Sequence, residues 1–241
     1  MKPYRGTAIA TGVFFLVAAI AAVAALALYQ PALADPEYVL GAGADTRVLL
    51  GGFLEVVLAA SVVGTAVALH PVLQRQNPGI ALGYVCGRLL EAAVIVIGIV
   101  SVLALVTLRR ERTGDEDGAL LAVARALVAV HDWTFLIGPG LVIGVNSLLL
   151  AHLVHRARLA PRWITVLGLV GGPLVLASST AVLLGLYEQV STWGFLAALP
   201  VAAWEVSFAV RLLAKGFTPP AGERTAAADA PHAAAAAARV R

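Results

Sequence analysis

Charge is what this chain has least of. Asp, Glu, Lys and Arg together make up 13% of its 241 residues, about half the share that coats a soluble globule. With 60% hydrophobic residues and a mean hydropathy of +0.90, it cannot present polar groups to water on all sides, which excludes an ordinary soluble domain. A single cysteine, Cys86, excludes an intrachain disulfide and a cysteine-built metal site. Missing too are a phosphate-cradling loop, a GxSxG nucleophile turn, a Cys/His nucleophile arrangement, a dinucleotide fingerprint and an HExxH zinc pair. No metal or other cofactor is therefore expected. Basic residues give a net charge of +3, but they sit at the ends of apolar segments rather than in one patch, so nucleic acid is not an expected partner.

What fills the chain instead is apolar sequence. Six runs reach the roughly 20 residues needed to cross a hydrocarbon core: Thr7–Tyr29, Leu49–Leu69, Ile80–Leu108, Trp133–Leu153, Ile164–Tyr187 and Gly194–Ala214. None alternates with period two, so helices are expected and a barrel is not. The fold class is an all-α integral membrane protein, a bundle of six transmembrane helices over residues 1–217, leaving no length for a soluble catalytic domain. The remainder, 218–241, is Ala- and Pro-rich and reads as a disordered tail. "PALAD" (31–35) resembles a signal-peptidase site, but the apolar stretch before it is too long for a signal core, so it reads as a retained first span.

Orientation follows from the short connections. Lys2, Arg5, Arg75, Arg156, Arg158, Arg162, Arg211 and Lys215 fall on one side, and Arg47, Arg109, Arg110 and Arg112 on the other, which predicts both termini in the cytoplasm. Asp115 and Glu116 join the acidic residues expected outside, and Trp133, Tyr187 and Trp193 are placed as anchors at that outer interface. Residues 118–130, with Arg125 amid apolar neighbours, either lie along the interface or extend the fourth span. Gly138-Pro139-Gly140 is expected to kink that span.

Six ionisable residues fall in or beside the spans: Glu55, Arg88, Glu91, His131, Asp132 and Glu205. A charge inside a bilayer costs about 2.5–3.5 kcal/mol even on a lenient scale, so such groups turn inward and find partners. Counting helical rise from the inner ends puts Arg88 about 12 Å deep and Glu205 about 14 Å deep, close enough to pair, with Glu91 a little further in. Glu55, His131 and Asp132 form a second set nearer the outer side. Tyr84 shares a face with Arg88 and Glu91 at helical spacing; Trp204 neighbours Glu205. Asp132 and Asn146, fourteen residues apart, share a stripe unless the Pro139 kink rotates it. Three carboxyl groups against one certain cation cannot all be neutralised unless His131 or one of the carboxyl groups is protonated, whereas a purely structural ion pair locking helix packing accounts for Arg88 and Glu205 as well. His70, His152 and His155 near the inner face read as headgroup-level histidines.

Five segments in order, "GGFLEVVLA", "ALGYVCGRLLEA", "VHDWTFLIGPG", "LAPRWITVLGLVGGPL" and "LPVAAWEVSFAVRLLAKGF", make the chain resemble the bacterial six-span membrane family catalogued as domain of unknown function 4386, over roughly residues 3–217. The resemblance implies the fold, a bacterial inner (plasma) membrane location, and Glu55, Arg88, Glu91, His131, Asp132, Trp133 and Glu205 as signature positions; it implies no activity. Three functions stay open. The first is binding, with or without translocation, of a small lipophilic or ionic ligand, with Arg88, Glu205, Tyr84, Trp133, Asn146 and Trp204 as binding residues. The second is an enzyme using Glu91, Asp132, Glu55 and His131 for acid–base chemistry on an isoprenoid- or lipid-like substrate. The third is a structural or accessory subunit.

Overall fold

Asn77 and Pro78 illustrate how the spans begin. The Asn77 side chain accepts the Ile80 backbone N–H at 3.0 Å and proline occupies the first helical position, where its missing N–H costs nothing. Ser191 caps the last helix in the same way, accepting from the Gly194 N–H. A computed structural model describes residues 4–35, 37–41, 45–112 and 117–218; Lys2, Asp115, Glu116 and all of the predicted tail after Thr218 lie outside the described residues. The elements are α1 (Arg5–Leu33), α2 (Asp45–Leu73), α3 (Pro78–Arg110), α4 (Asp117–Leu136), a π-helical stretch (Ile137–Val142), α5 (Ile143–Arg156), α6 (Arg162–Leu183) and α7 (Thr192–Lys215). Among the described residues there is no strand, and six helices are long and apolar enough to cross a membrane.

Two boundaries differ from expectation. The fourth span is one continuous run of 40 residues from Asp117 to Arg156, about 60 Å long at helical rise, so residues 118–130 extend it beyond the hydrocarbon. Within it, Gly138-Pro139-Gly140 produces a π-helical stretch, which absorbs the ladder bond that Pro139 cannot donate. The fifth span stops at Leu183, four residues early, because the chain turns through Gly185 at φ +74°. Tyr187 then folds back with its hydroxyl 2.6 Å from Ser178 Oγ.

Contacts between helices order the bundle as a ring: α1 on α2, α2 on α3, α3 on α4 and α5, α5 on α6, α6 on α7, and α7 back on α1. The register of the α1–α2 pair is fixed by Tyr29 over Gly51 and Phe14 over Gly64. An even number of spans brings the two ends of the chain to one side, the terminal side, where Arg5 donates to the carbonyls of Leu212 and Leu213. On the opposite side Asp45 binds Arg109 and Arg110, and Arg112 pairs with Asp117 at 2.9 Å. Three buried apolar clusters stack along the bundle: one around Leu69, Leu150, Trp204 and Phe208 at the terminal side, one around Ala21, Val62 and Ile95 in the middle, and one around Tyr29, Val48 and Leu105 at the far side. Large apolar side chains such as Ile20 and Val23 of α1, Ile97 of α3 and Leu196 of α7 point outward, an arrangement that only a bilayer makes favourable.

Candidate functional site

Between α1 on one side and α4, the π-helical stretch and α5 on the other lies a cavity of about 860 Å³ of atom-free space, its open side included. Its floor is α3, from Arg88 to Gly98, a length of about 15 Å. The α1 wall is made of Phe15, Ala18, Ala19, Ala22 and Leu26. These recur every three or four residues, so they form one stripe of the helix, and three alanines in it leave room where larger side chains would fill the bundle.

At the terminal end of the cavity Arg88 is almost completely engaged. Its Nη1 donates to both oxygens of Glu91, at 3.2 and 3.1 Å, its Nη2 to Glu205 at 2.9 Å, and its Nε to the Tyr84 hydroxyl at 3.2 Å. Thr65 donates its own proton to the Val62 carbonyl, so the Tyr84 hydroxyl, having accepted from Arg88, donates to Thr65 Oγ1 at 3.4 Å. Asn146 Nδ2 reaches Glu91 Oε2 at 2.8 Å. It crosses to α3 because position 87 is glycine: a Cβ there would overlap Asn146 Oδ1. The guanidinium carbon also lies 5.4 Å from the Phe15 ring centroid and 5.6 Å from that of Tyr84, both within cation–π reach.

Trp204 does not line the cavity. It stacks on Phe208 at 4.9 Å, Phe208 meets Phe15 edge-on at 6.0 Å, and Phe15 faces Arg88. Trp204 thus supports the guanidinium at two removes, seated where a Cβ at Gly168 would collide with its ring.

At the far end Glu55 accepts a hydrogen bond from Tyr29 at 3.2 Å, and among the described residues no basic side chain forms an ion pair with it. His131 lines the cavity beside it, 4% exposed. The imidazole meets Tyr29 edge-on at 5.7 Å and stacks on Phe135 at 6.3 Å. Its Nδ1 is buried without a hydrogen-bond partner; Asp132 Oδ1 is 3.5 Å away but poorly aligned.

The chain is brought together differently from the sequence expectation at three places. Glu91 joins Arg88 and Glu205 in one cluster rather than lying further in than they do. The side chain of Asp132 is 66% exposed and Trp133 is 51% exposed, so neither faces the cavity. The cause is the π-helical stretch: it inserts one extra residue, about 100° of helical phase, between Asn146 and everything before it. His131, not Asp132, then falls on the buried Asn146 stripe. Sequence reasoning missed the α1 stripe and Tyr29, although spacing 15, 18, 19, 22, 26 was there to find.

A family profile described as "Domain of unknown function (DUF4386)" matches residues 10–216, nearly the whole helical bundle. The chain belongs to this family. No curated protein matches it, and no solved structure does. As a DUF4386 member with six membrane-crossing helices, it is a multi-pass protein of a lipid bilayer.

Proposed function

We propose that this protein binds a small lipophilic molecule taken from the bilayer, held in the cavity between α1 and the fourth span. The observation that carries the reading is the pairing of an alanine-lined apolar wall, Ala18, Ala19 and Ala22, with ionisable groups at both ends of one α3 floor. Binding sites for small molecules combine a mostly apolar lining with a few placed polar groups. Ionisable side chains within a membrane are costly and characteristically line ligand or ion sites. The terminal side, rich in Lys and Arg, is taken to face the cytoplasm.

The test is extraction. Protein purified in mild detergent, dissolved in organic solvent and analysed by mass spectrometry, is expected to release a small molecule that is lost from Ala22→Trp, whose indole fills the cavity. Identical extracts from the two proteins, both melting as one transition, would return the bundle to a structural role. The placement of Glu55 and His131 in one cavity also favours acid–base chemistry as a second reading. Accumulation of one lipid-like species and loss of another on Glu55→Gln would establish it.

A further inference from the structure

The two ends of the cavity are built from the same parts, with one part missing. At the terminal end, carboxylates from Glu91 and Glu205 and the rings of Phe15 and Tyr84 surround a cation, and that cation is the chain's own Arg88. At the far end a carboxylate from Glu55 shares the cavity lining with the stacked rings of His131 and Phe135, and Tyr29, outside the lining, donates to it from behind. Among the described residues no arginine or lysine reaches Glu55. Of the side chains facing the cavity, three are carboxyl groups and one is a guanidinium, already shared by two of them. The His131 side chain lines this same end and turns Nδ1 toward Asp132 Oδ1, 3.5 Å away without a hydrogen bond and outside the cavity lining.

An anionic oxygen flanked by aromatic faces is the recognition chemistry of organic ammonium and related cations, as the Arg88 end itself illustrates. We propose that the Glu55 end of the cavity receives the positive centre of a lipophilic organic cation, whose apolar body lies against Leu26, Ala22 and Ala19. This deepens the ligand-binding reading above and rests on it. An anionic ligand would have to approach the Glu55 carboxylate with the His131 imidazole as the one basic group at that end, at a level of the membrane where like charges repel strongly. A ligand with no donor would leave the Glu55 carboxyl group facing carbon.

Two ions of the same shape and opposite charge, tetraphenylphosphonium and tetraphenylborate, test it. Their binding to the full chain in neutral maltoside detergent is measured by equilibrium dialysis against detergent alone. The phosphonium is expected to bind at least tenfold more tightly, to lose at least tenfold on Glu55→Gln, and to lose several-fold on Phe135→Leu, which removes a ring and keeps Glu55 intact. Ala22→Trp is expected to abolish it. Equal or tighter borate binding that Ala22→Trp abolishes overturns the cation and leaves the binding cavity standing. Phosphonium binding unchanged in Glu55→Gln overturns it as well. Binding of both ions indifferent to Ala22→Trp overturns the cavity reading together with the cation.

Discussion

The two ends of the cavity sit about 15 Å apart along one helix, yet they answer the problem of charge in lipid in opposite ways. The Arg88 end closes its own account of charge: every nitrogen of the guanidinium has an acceptor, and Glu91 is further held by Asn146. The Glu55 end stops at one hydrogen bond from Tyr29, and the His131 Nδ1 beside it has only a 3.5 Å approach from Asp132, without a hydrogen bond. A bundle that needed polar groups only as packing bolts has no use for the second arrangement. The difference teaches that burial alone does not separate a structural charge from a functional one; completeness of its partners does.

On that contrast, stability and binding are expected to separate along the cavity. The largest loss of stability is expected from Arg88→Met, which strands Glu91 and Glu205 without a cation; removing one partner of a buried pair costs about 3–5 kcal/mol. Denaturation in mixed micelles measures it. The triple change Arg88→Met, Glu91→Gln, Glu205→Gln should recover most of the loss, because neutral groups of the same shape leave no charge exposed to carbon. No recovery would mean that the cluster does more than lock α3 to α7.

Next comes Gly87→Ala. Its Cβ overlaps Asn146 Oδ1, so Asn146 must swing away and Glu91 loses the 2.8 Å bond. Leaving such a buried acceptor short of a donor costs about 1–3 kcal/mol. Gly87→Ala combined with Asn146→Ala should cost little more than Asn146→Ala alone, a non-additivity that a double-mutant cycle reads directly. Simple additivity would place the role of Gly87 elsewhere, in backbone packing.

How much of this was legible follows from what each feature costs in lipid. The spans were plain because hydrocarbon tolerates only continuous apolar helices, and Arg88 with Glu205 was plain because depth along two helices can be counted. The partition of the carboxylates was not. Asp132 shares the Asn146 stripe only if Gly138-Pro139-Gly140 leaves the helical phase unchanged, and the π-helical stretch there shifts it by one residue, so that His131 takes that place. The α1 wall escaped notice for another reason: an alanine that leaves space carries no polar atom to mark it, and in a chain rich in alanine its stripe does not stand out. The extension of the fourth span past the hydrocarbon rests on packing of Ala124 and Leu120 into the far cluster, which composition alone does not reveal.

Glu55→Gln is expected to change stability by less than about 1 kcal/mol, since the amide keeps the hydrogen bond from Tyr29 and no ion pair is broken. That small number beside a large loss of phosphonium binding is the sharpest form of the comparison.

The smallest effect is expected from Asp132→Asn. The carboxylate is mostly exposed, and its 3.5 Å approach to His131 lacks hydrogen-bond geometry, so stability should stay within about 0.5 kcal/mol and binding at the Glu55 end should not move. Asp132 is nonetheless adjacent in sequence to the histidine that lines the cavity. A large effect, on melting or on phosphonium binding, would mean that Asp132 orients the His131 ring through Nδ1, and the idle nitrogen at the Glu55 end would then be a held one. The contrast between a completed end and an open end would shrink to the single carboxylate of Glu55.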